Sequence, residues 1–292
     1  MICYAIDYKL NYKPVISLVL AALLPFSAAA YADDAPARTA LKVCADPQYM
    51  PFSSKDGSGY ENRIATLIAT ELKLPLEYTW FPQRIGFIRN TLRQEKPDGD
   101  GFLCDLVMGV PKGYELAATT EAYMQSTYAL VVASDGKLGQ LKQPTDLLTG
   151  GADGIRIGIT ETSPGAEWLA KHGLFEYMAP YPAQSGDPEE FPGKPMLEDL
   201  LAGKLDAAIV WGPTAGYFSK QQNDKRQLKA MPLKSEPGVR FHYPISAAVR
   251  FGEKAWKEQV NQILQQRQGE VQKILQEYNI PLVNDAGEQL PS

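Results

Sequence analysis

The stretch LKVCADPQYMPFSSKDGSGYENRIATLIATELKLPLEYTW, residues 41–80, decides the fold class. Leu41–Ala45 is a short apolar run of β type. A loop rich in Pro, Ser and Gly follows. Tyr60–Leu72 then carries Ile64, Leu67, Ile68 and Leu72 on one face of a helix. Leu76–Trp80 reads as the next strand. Strand, helix and strand in that order predict a parallel pair crossed by a helix, the unit of an α/β sheet.

The pattern repeats outward from this unit. Residues 84–95 read as a second helix with Ile85, Ile88 and Leu92 inward, and residues 105–110 and 128–133 are apolar runs of strand length. A polar, Gly-containing stretch at 134–154 marks a boundary, after which a second β-α series begins. Its elements are a strand at 155–159, a helix with Ser163 as N-cap and Pro164 at its first position, a helix at 195–202 closed by Gly203, a strand at 205–211 and a helix begun by Pro213. Residues 242–250 form one more strand. Helices at 253–267 and 270–278 follow with a clean 3.6-residue period, and 284–292 is expected to be a loose tail. The expected division is lobe one at 41–134 plus 242–283 and lobe two at 135–241.

Composition narrows the class of function. The 292 residues exceed a comfortable single core, which favours two lobes. Acidic residues outnumber basic ones, 34 to 29, so no nucleic acid is expected as a partner, because phosphate recognition needs a basic face. At the N-terminus Lys9 and Lys13 precede an apolar run at 15–24 and the small-residue site Ala30-Tyr31-Ala32. This is the pattern of an export signal cleaved after Ala32, and the run is too short for a permanent membrane span. Localisation in the periplasm and no stable membrane insertion are expected. Cys44 and Cys104 then remain in an oxidising compartment, either as a disulfide or as two separately buried thiols.

Catalytic signatures are absent from the sequence: no P-loop, no G-x-G-x-x-G, no G-x-S-x-G and no H-E-x-x-H. Asp98-Gly99-Asp100-Gly101 begins like a calcium loop, but Phe102 stands at position five and the closing Glu is missing. Neither a metal site nor a cofactor is expected. His172 and His242 sit in ordinary structural contexts. What remains is a cleft lined by rings. Tyr49 and Phe52 follow the first strand, Trp80 ends the second and Trp211 ends a strand of the other lobe. In open α/β sheets ligands bind beyond the carboxyl ends of the strands. Ser163 caps a helix at a strand end, and Asp46, Arg84, Pro111, Thr127 and Pro213 beside the same strands complete the candidate set.

Residues 44–65, CADPQYMPFSSKDGSGYENRIA, resemble the opening of type II periplasmic solute-binding proteins, where a Pro-Phe precedes a Gly-rich turn and the first helix. CADPQYMPFS, YENRIA, GFIRNTLR, CDLVMGVP, YELAATT, STYALV, SGDPEEFPGKPML and DAAIVWGPTAGYF together resemble one group of that fold, the quinoprotein-dehydrogenase-associated proteins of MxaJ and XoxJ type. The resemblance spans residues 41–283. It implies a two-lobed α/β protein with a cleft, not an enzyme, that assists maturation or activation of a PQQ-dependent methanol or alcohol dehydrogenase. The alternative is a receptor that delivers a small non-amino-acid solute to an ABC transporter. Amino-acid receptors of the fold clamp the ligand carboxylate with an Arg and its ammonium with an Asp. The matching positions here are Gly113 and Gly212, so a free amino acid is not the expected ligand.

Overall fold

The computed structural model describes residues 38–149, 154–184, 187, 189–220, 222–223 and 226–291. The expected export signal lies outside them. Two sheets organise the chain. The first has five strands in the order Leu76–Trp80, Leu41–Ala45, Leu106–Pro111, His242–Val249, Ala118–Thr127. Its first three strands are parallel, and His242–Val249 runs antiparallel to both of its neighbours. The second has six, in the order Gln222–Asn223, Arg226–Pro232, Ala129–Ala133, Ala207–Val210, Ile157–Thr160, Met178–Tyr181.

The inner strands Leu41–Ala45, Leu106–Pro111, Ala129–Ala133 and Ala207–Val210 are covered on both faces, so they are apolar at successive positions while their side chains alternate between two cores. Leu41 and Val43, with Leu106 and Met108, pack under the helices Tyr60–Leu72, Lys254–Gln266 and Gln268–Glu277. Cys44, Val107 and Val110 point the other way, onto Phe87, Ile88 and Leu92. In the second sheet Leu130 and Val132 face Trp168, whereas Ala129 and Val131 face Phe218.

The β-α-β reading of residues 41–80 matches the observed elements, as do both C-terminal helices. Ser163 caps Pro164–Lys171 by accepting the Ala166 N–H at 3.4 Å. Four expectations change. Ala129–Ala133 belongs to the second sheet, not to the first lobe, because it pairs antiparallel with both Ala207–Val210 and Arg226–Pro232. The chain therefore changes sheets at Tyr128 and returns between Pro232 and His242. The helix expected at 84–95 shrinks to Phe87–Asn90 behind Gly86 at φ +88°, and Ile85, placed inward, is 90% exposed. Ala118–Thr127 is a ten-residue strand with no expected counterpart. Residues 284–290 are tied back rather than loose: Val283 bridges to Gln289, and the Leu290 N–H donates to the Leu282 carbonyl at 2.8 Å.

Candidate functional site

The loop after Leu41–Ala45 is held by its own polar groups. Asp46 accepts the Gln48 N–H at 2.8 Å through one carboxylate oxygen and the Gln83 N–H at 2.5 Å through the other. Asn62 Oδ1, from the first helical turn, accepts the N–H groups of Ser54 and Gly59. Gly59 is required there, since a Cβ would come within 2.2 Å of the Phe52 carbonyl. The loop thus presents Tyr49 stacked on Phe52, ring centroids 4.6 Å apart, at the ends of the parallel strands.

These rings form one wall of a cavity of about 310 Å³. Asp46, Glu61, Phe87, Met108, Gly109 and Pro111 add to it from the first sheet and its helices, Tyr128 and Tyr243 from the two crossings between sheets, and Trp211 from the second lobe. Tyr128, Trp211 and Tyr243 form a three-ring corner. Their centroids are 5.4, 5.9 and 6.5 Å apart and each pair is steeply tilted. Tyr49, Phe52, Tyr128 and Trp211 also line a second space of about 300 Å³ that reaches Thr160, Tyr181, Phe191 and Met196. On the other side Gln83, Phe87, Gly109 and Pro111 lead to a groove of about 620 Å³ with Arg84, Ile85, Arg89, Arg93 and Leu116. The site is therefore a cleft between the two sheets, continuous with a surface groove.

Burial dominates its electrostatics. It pushes the Tyr128 phenol up to about 12 and the Tyr49 phenol higher still, so both are neutral donors at physiological pH. Burial likewise pushes the Glu61 carboxyl up to about 7, against the opposing effect of the Tyr60 hydroxyl, which donates to it at 3.3 Å. Gly109, at φ +72°, lets the Glu61 carboxylate lie against the neighbouring strand, because a Cβ there would sit 2.1 Å from Glu61 Oε1.

Of the residues expected from sequence, the structure brings Asp46, Tyr49, Phe52, Pro111 and Trp211 together at the cavity and puts Arg84 on the adjoining groove. It does not bring the other four. Trp80 stacks on Tyr78 at 4.5 Å, on the edge strand of the first sheet. Ser163 is a helix cap. The buried Thr127 hydroxyl donates to the Leu233 carbonyl at 2.7 Å, tying the two crossings together, and Pro213 is buried in the first turn of Gly212–Lys220. Glu61, Tyr128 and Tyr243 were not singled out from sequence. Only the closeness of YENRIA to the Tyr49–Phe52 loop pointed toward Glu61.

Of the two states left open for the cysteines, the structure shows the disulfide. Cys44 and Cys104 are bonded with their Cα atoms 5.6 Å apart, on and beside neighbouring parallel strands. Asp98–Gly101 is a surface turn in which the Asp100 N–H donates to Asp98 at 3.0 Å. Among the described residues no group of three or more His, Cys, Asp or Glu could hold a metal ion. No helix among them is long and apolar enough to cross a membrane.

No protein-family model matches the sequence. Protein MoxJ of Paracoccus denitrificans is 27% identical over 277 residues, covering 90% of this chain and 95% of that protein. The solved structure of the periplasmic binding protein XoxJ from Methylobacterium extorquens AM1 is 32% identical. It superposes with a TM-score of 0.67, over 84% of this chain and 100% of that one. MxaJ from Methlophaga aminisulfidivorans MPT superposes with a TM-score of 0.68 at 25% identity, over 83% of this chain and all of the other. With the two-sheet fold, the cleft at the strand ends and full-length correspondence to XoxJ, the chain belongs to the MoxJ/MxaJ/XoxJ family of proteins with the type II periplasmic binding fold.

Proposed function

We propose that this protein is a periplasmic, non-enzymatic accessory of a PQQ-dependent methanol or alcohol dehydrogenase, and that it binds the enzyme through the open side of its cleft. The family membership supports this reading, and one structural observation carries it. The cavity opens into a groove where Ile85, 90% exposed, and Leu116, 45% exposed, stand beside Arg84, Arg89 and Arg93. Exposed aliphatic side chains flanked by Arg are costly to leave in water and commonly anchor protein contacts.

The test is association. The double variant Ile85→Asp with Arg84→Glu changes exposed positions, so it should fold with an unaltered melting temperature. Its affinity for the dehydrogenase, measured by calorimetry, should fall at least about ten-fold, the usual effect of removing an interface anchor. Unchanged affinity in the folded variant would move the interface elsewhere, and no association of the wild type with apo or holo enzyme would remove the accessory role.

The transport alternative meets a specific obstacle for amino acids. Gly113 lies exposed on a turn at φ +82°, outside the cavity wall, and the neighbouring Lys112 pairs with Glu121. At Gly212 a Cβ would come within 2.2 Å of Ser126 Oγ, so no side chain can stand there. Among the described residues no Arg, Lys or His lines the cavity, and Asp46 and Glu61 would repel a ligand carboxylate. Calorimetry against the twenty amino acids should therefore give no micromolar binding. A micromolar dissociation constant for any of them would restore the transport reading.

A further inference from the structure

We propose that the cavity is a binding site for a singly charged organic cation, an ammonium or methylated ammonium group, received by the Tyr128–Trp211–Tyr243 corner and the Glu61 carboxylate. This goes beyond the docking role and does not depend on it, because the site is complete within the chain.

The argument begins with what the walls offer. Two carboxylates and five Tyr, Trp and Phe rings at the corner and the stacked pair enclose about 310 Å³, and among the described residues no cationic side chain lines it. The faces of such rings carry negative potential and attract a desolvated cation, and the effect is strongest for Trp. Tyr243 already serves a cation in this way, since the Arg240 guanidinium lies 4.9 Å from its centroid although Arg240 is not part of the cavity wall. Asp46 spends both oxygens on backbone N–H groups. Glu61 does not, and among the described residues the side-chain partner of its carboxylate is the Tyr60 hydroxyl. A half-buried carboxylate with no cationic partner gains from a bound cation, which supplies the missing counter-charge.

The walls also exclude other ligands. An anion would meet two carboxylates and no basic group. Calcium or magnesium needs about six oxygen ligands, which rings and two carboxylates, one already committed, do not supply. A neutral apolar ligand would leave Glu61 uncompensated. The cavity is at the small end of ligand sites, which suits a headgroup of a few heavy atoms.

The charged group could come from a free methylated amine or from a lysine side chain of a protein partner. The two sources separate with small probes. Choline is compared with its neutral isostere 3,3-dimethylbutan-1-ol, and N-acetyl-lysine methylamide with N-acetyl-norleucine methylamide, each by calorimetry on the wild-type mature protein at pH 8.5. At least one cation should bind about ten-fold or more tightly than its isostere, the preference expected of a desolvated cation–π contact with a counter-charge. Preference for choline assigns a free amine, and preference for the lysine mimic assigns a side chain. Equal affinity within both pairs, or no binding of either cation, overturns the proposal.

Two further readings tie the effect to Glu61. Glu61→Gln should erase the preference for the cation while the melting temperature is kept. In the wild type the preference should also weaken as pH falls from 8.5 to 5.5, because protonation near 7 removes the counter-charge. Tyr49, Tyr60, Tyr78 and Tyr123, which also face this carboxylate, stay neutral throughout that range, and Asp46 is bonded to the Gln48 and Gln83 N–H groups. A preference independent of pH, or one retained in the Gln variant, would remove Glu61 from the site.

Discussion

Replacing Cys44 and Cys104 by Ala should destabilise the protein by about 4 kcal/mol, because the cross-link closes a loop across a sequence separation of 60 residues. For a chain of this size that corresponds to a fall in melting temperature of roughly 10 °C. The effect reaches the site. The residues enclosed by the bond carry Asp46, Tyr49, Phe52, Glu61, Gln83 and Phe87, nearly all that the first sheet contributes before Met108, and Cys44 itself lines the cavity. Both cysteines are buried, at 2% and 0% exposure, among Phe87, Ile88 and Leu92. Loss of the bond therefore loosens the short helix behind the cavity as well as the unfolded-state constraint. Urea denaturation of the oxidised wild type and the double Ala variant measures the difference. A change below about 1 kcal/mol would mean that the unfolded chain is already compact across this loop.

What was legible in the sequence was local. Residues 41–80 and the two C-terminal helices announce themselves because apolar period, Gly and Pro agree over long windows. Where burial is complete, period vanishes. All five residues of Ala129–Ala133 are buried, so nothing in ALVVA says which sheet it joins, and pairing with Arg226–Pro232 decides. Ala118–Thr127 was missed for the opposite reason: ATTEAYMQST is too polar to stand out, and its pairing with His242–Val249 across more than a hundred residues of chain makes it a strand. Residues 84–95 carry a helical period, yet Gly86 in the left-handed region breaks the run and leaves Ile85 outside.

The site divides the same way. Of the residues drawn in by strand-end placement, Asp46, Tyr49, Phe52, Pro111 and Trp211 line the cavity. Trp80 stands on the edge strand of the sheet, Ser163 and Thr127 bond to backbone groups, and Pro213 is buried in a helix turn. Glu61 looks like any first-turn carboxylate until Gly109, 48 positions later in the chain, removes the Cβ that would have pushed it aside. Tyr128 and Tyr243 acquire their place only because the chain crosses between sheets beside them.

Replacing Arg250 by Met should cost about 3 kcal/mol, the lower end of what breaking a buried charge network costs. Arg250 is 8% exposed at the end of the central antiparallel strand. Its guanidinium donates to the Leu92 carbonyl at 3.2 Å, to the Cys104 carbonyl, to Asp105 at 2.9 Å and to Glu253 at 2.6 Å, and lies 4.3 Å from the Phe102 ring. Removing it strands two carbonyls and weakens two carboxylates. The loss stays at the lower end because Arg38, stacked 4.1 Å above Trp256, also reaches Glu253 at 2.9 Å and Asp105 at 3.8 Å. Arg38→Met should cost less, about 1 kcal/mol, since Arg38 is the more exposed of the two and among the described residues it donates to no carbonyl. Because additivity fails within one network, the double variant should lose more than the two single losses together, as both carboxylates are then left bare. Chemical denaturation of the three variants checks the order. If Arg38→Met proved as costly as Arg250→Met, the carboxylates rather than the carbonyls would be the dominant partners. Leu92 follows the short helix Phe87–Asn90, which carries Arg89 of the proposed rim, so under the proposed docking role a folded Arg250→Met protein should also lose affinity for the dehydrogenase without any change at the contact itself.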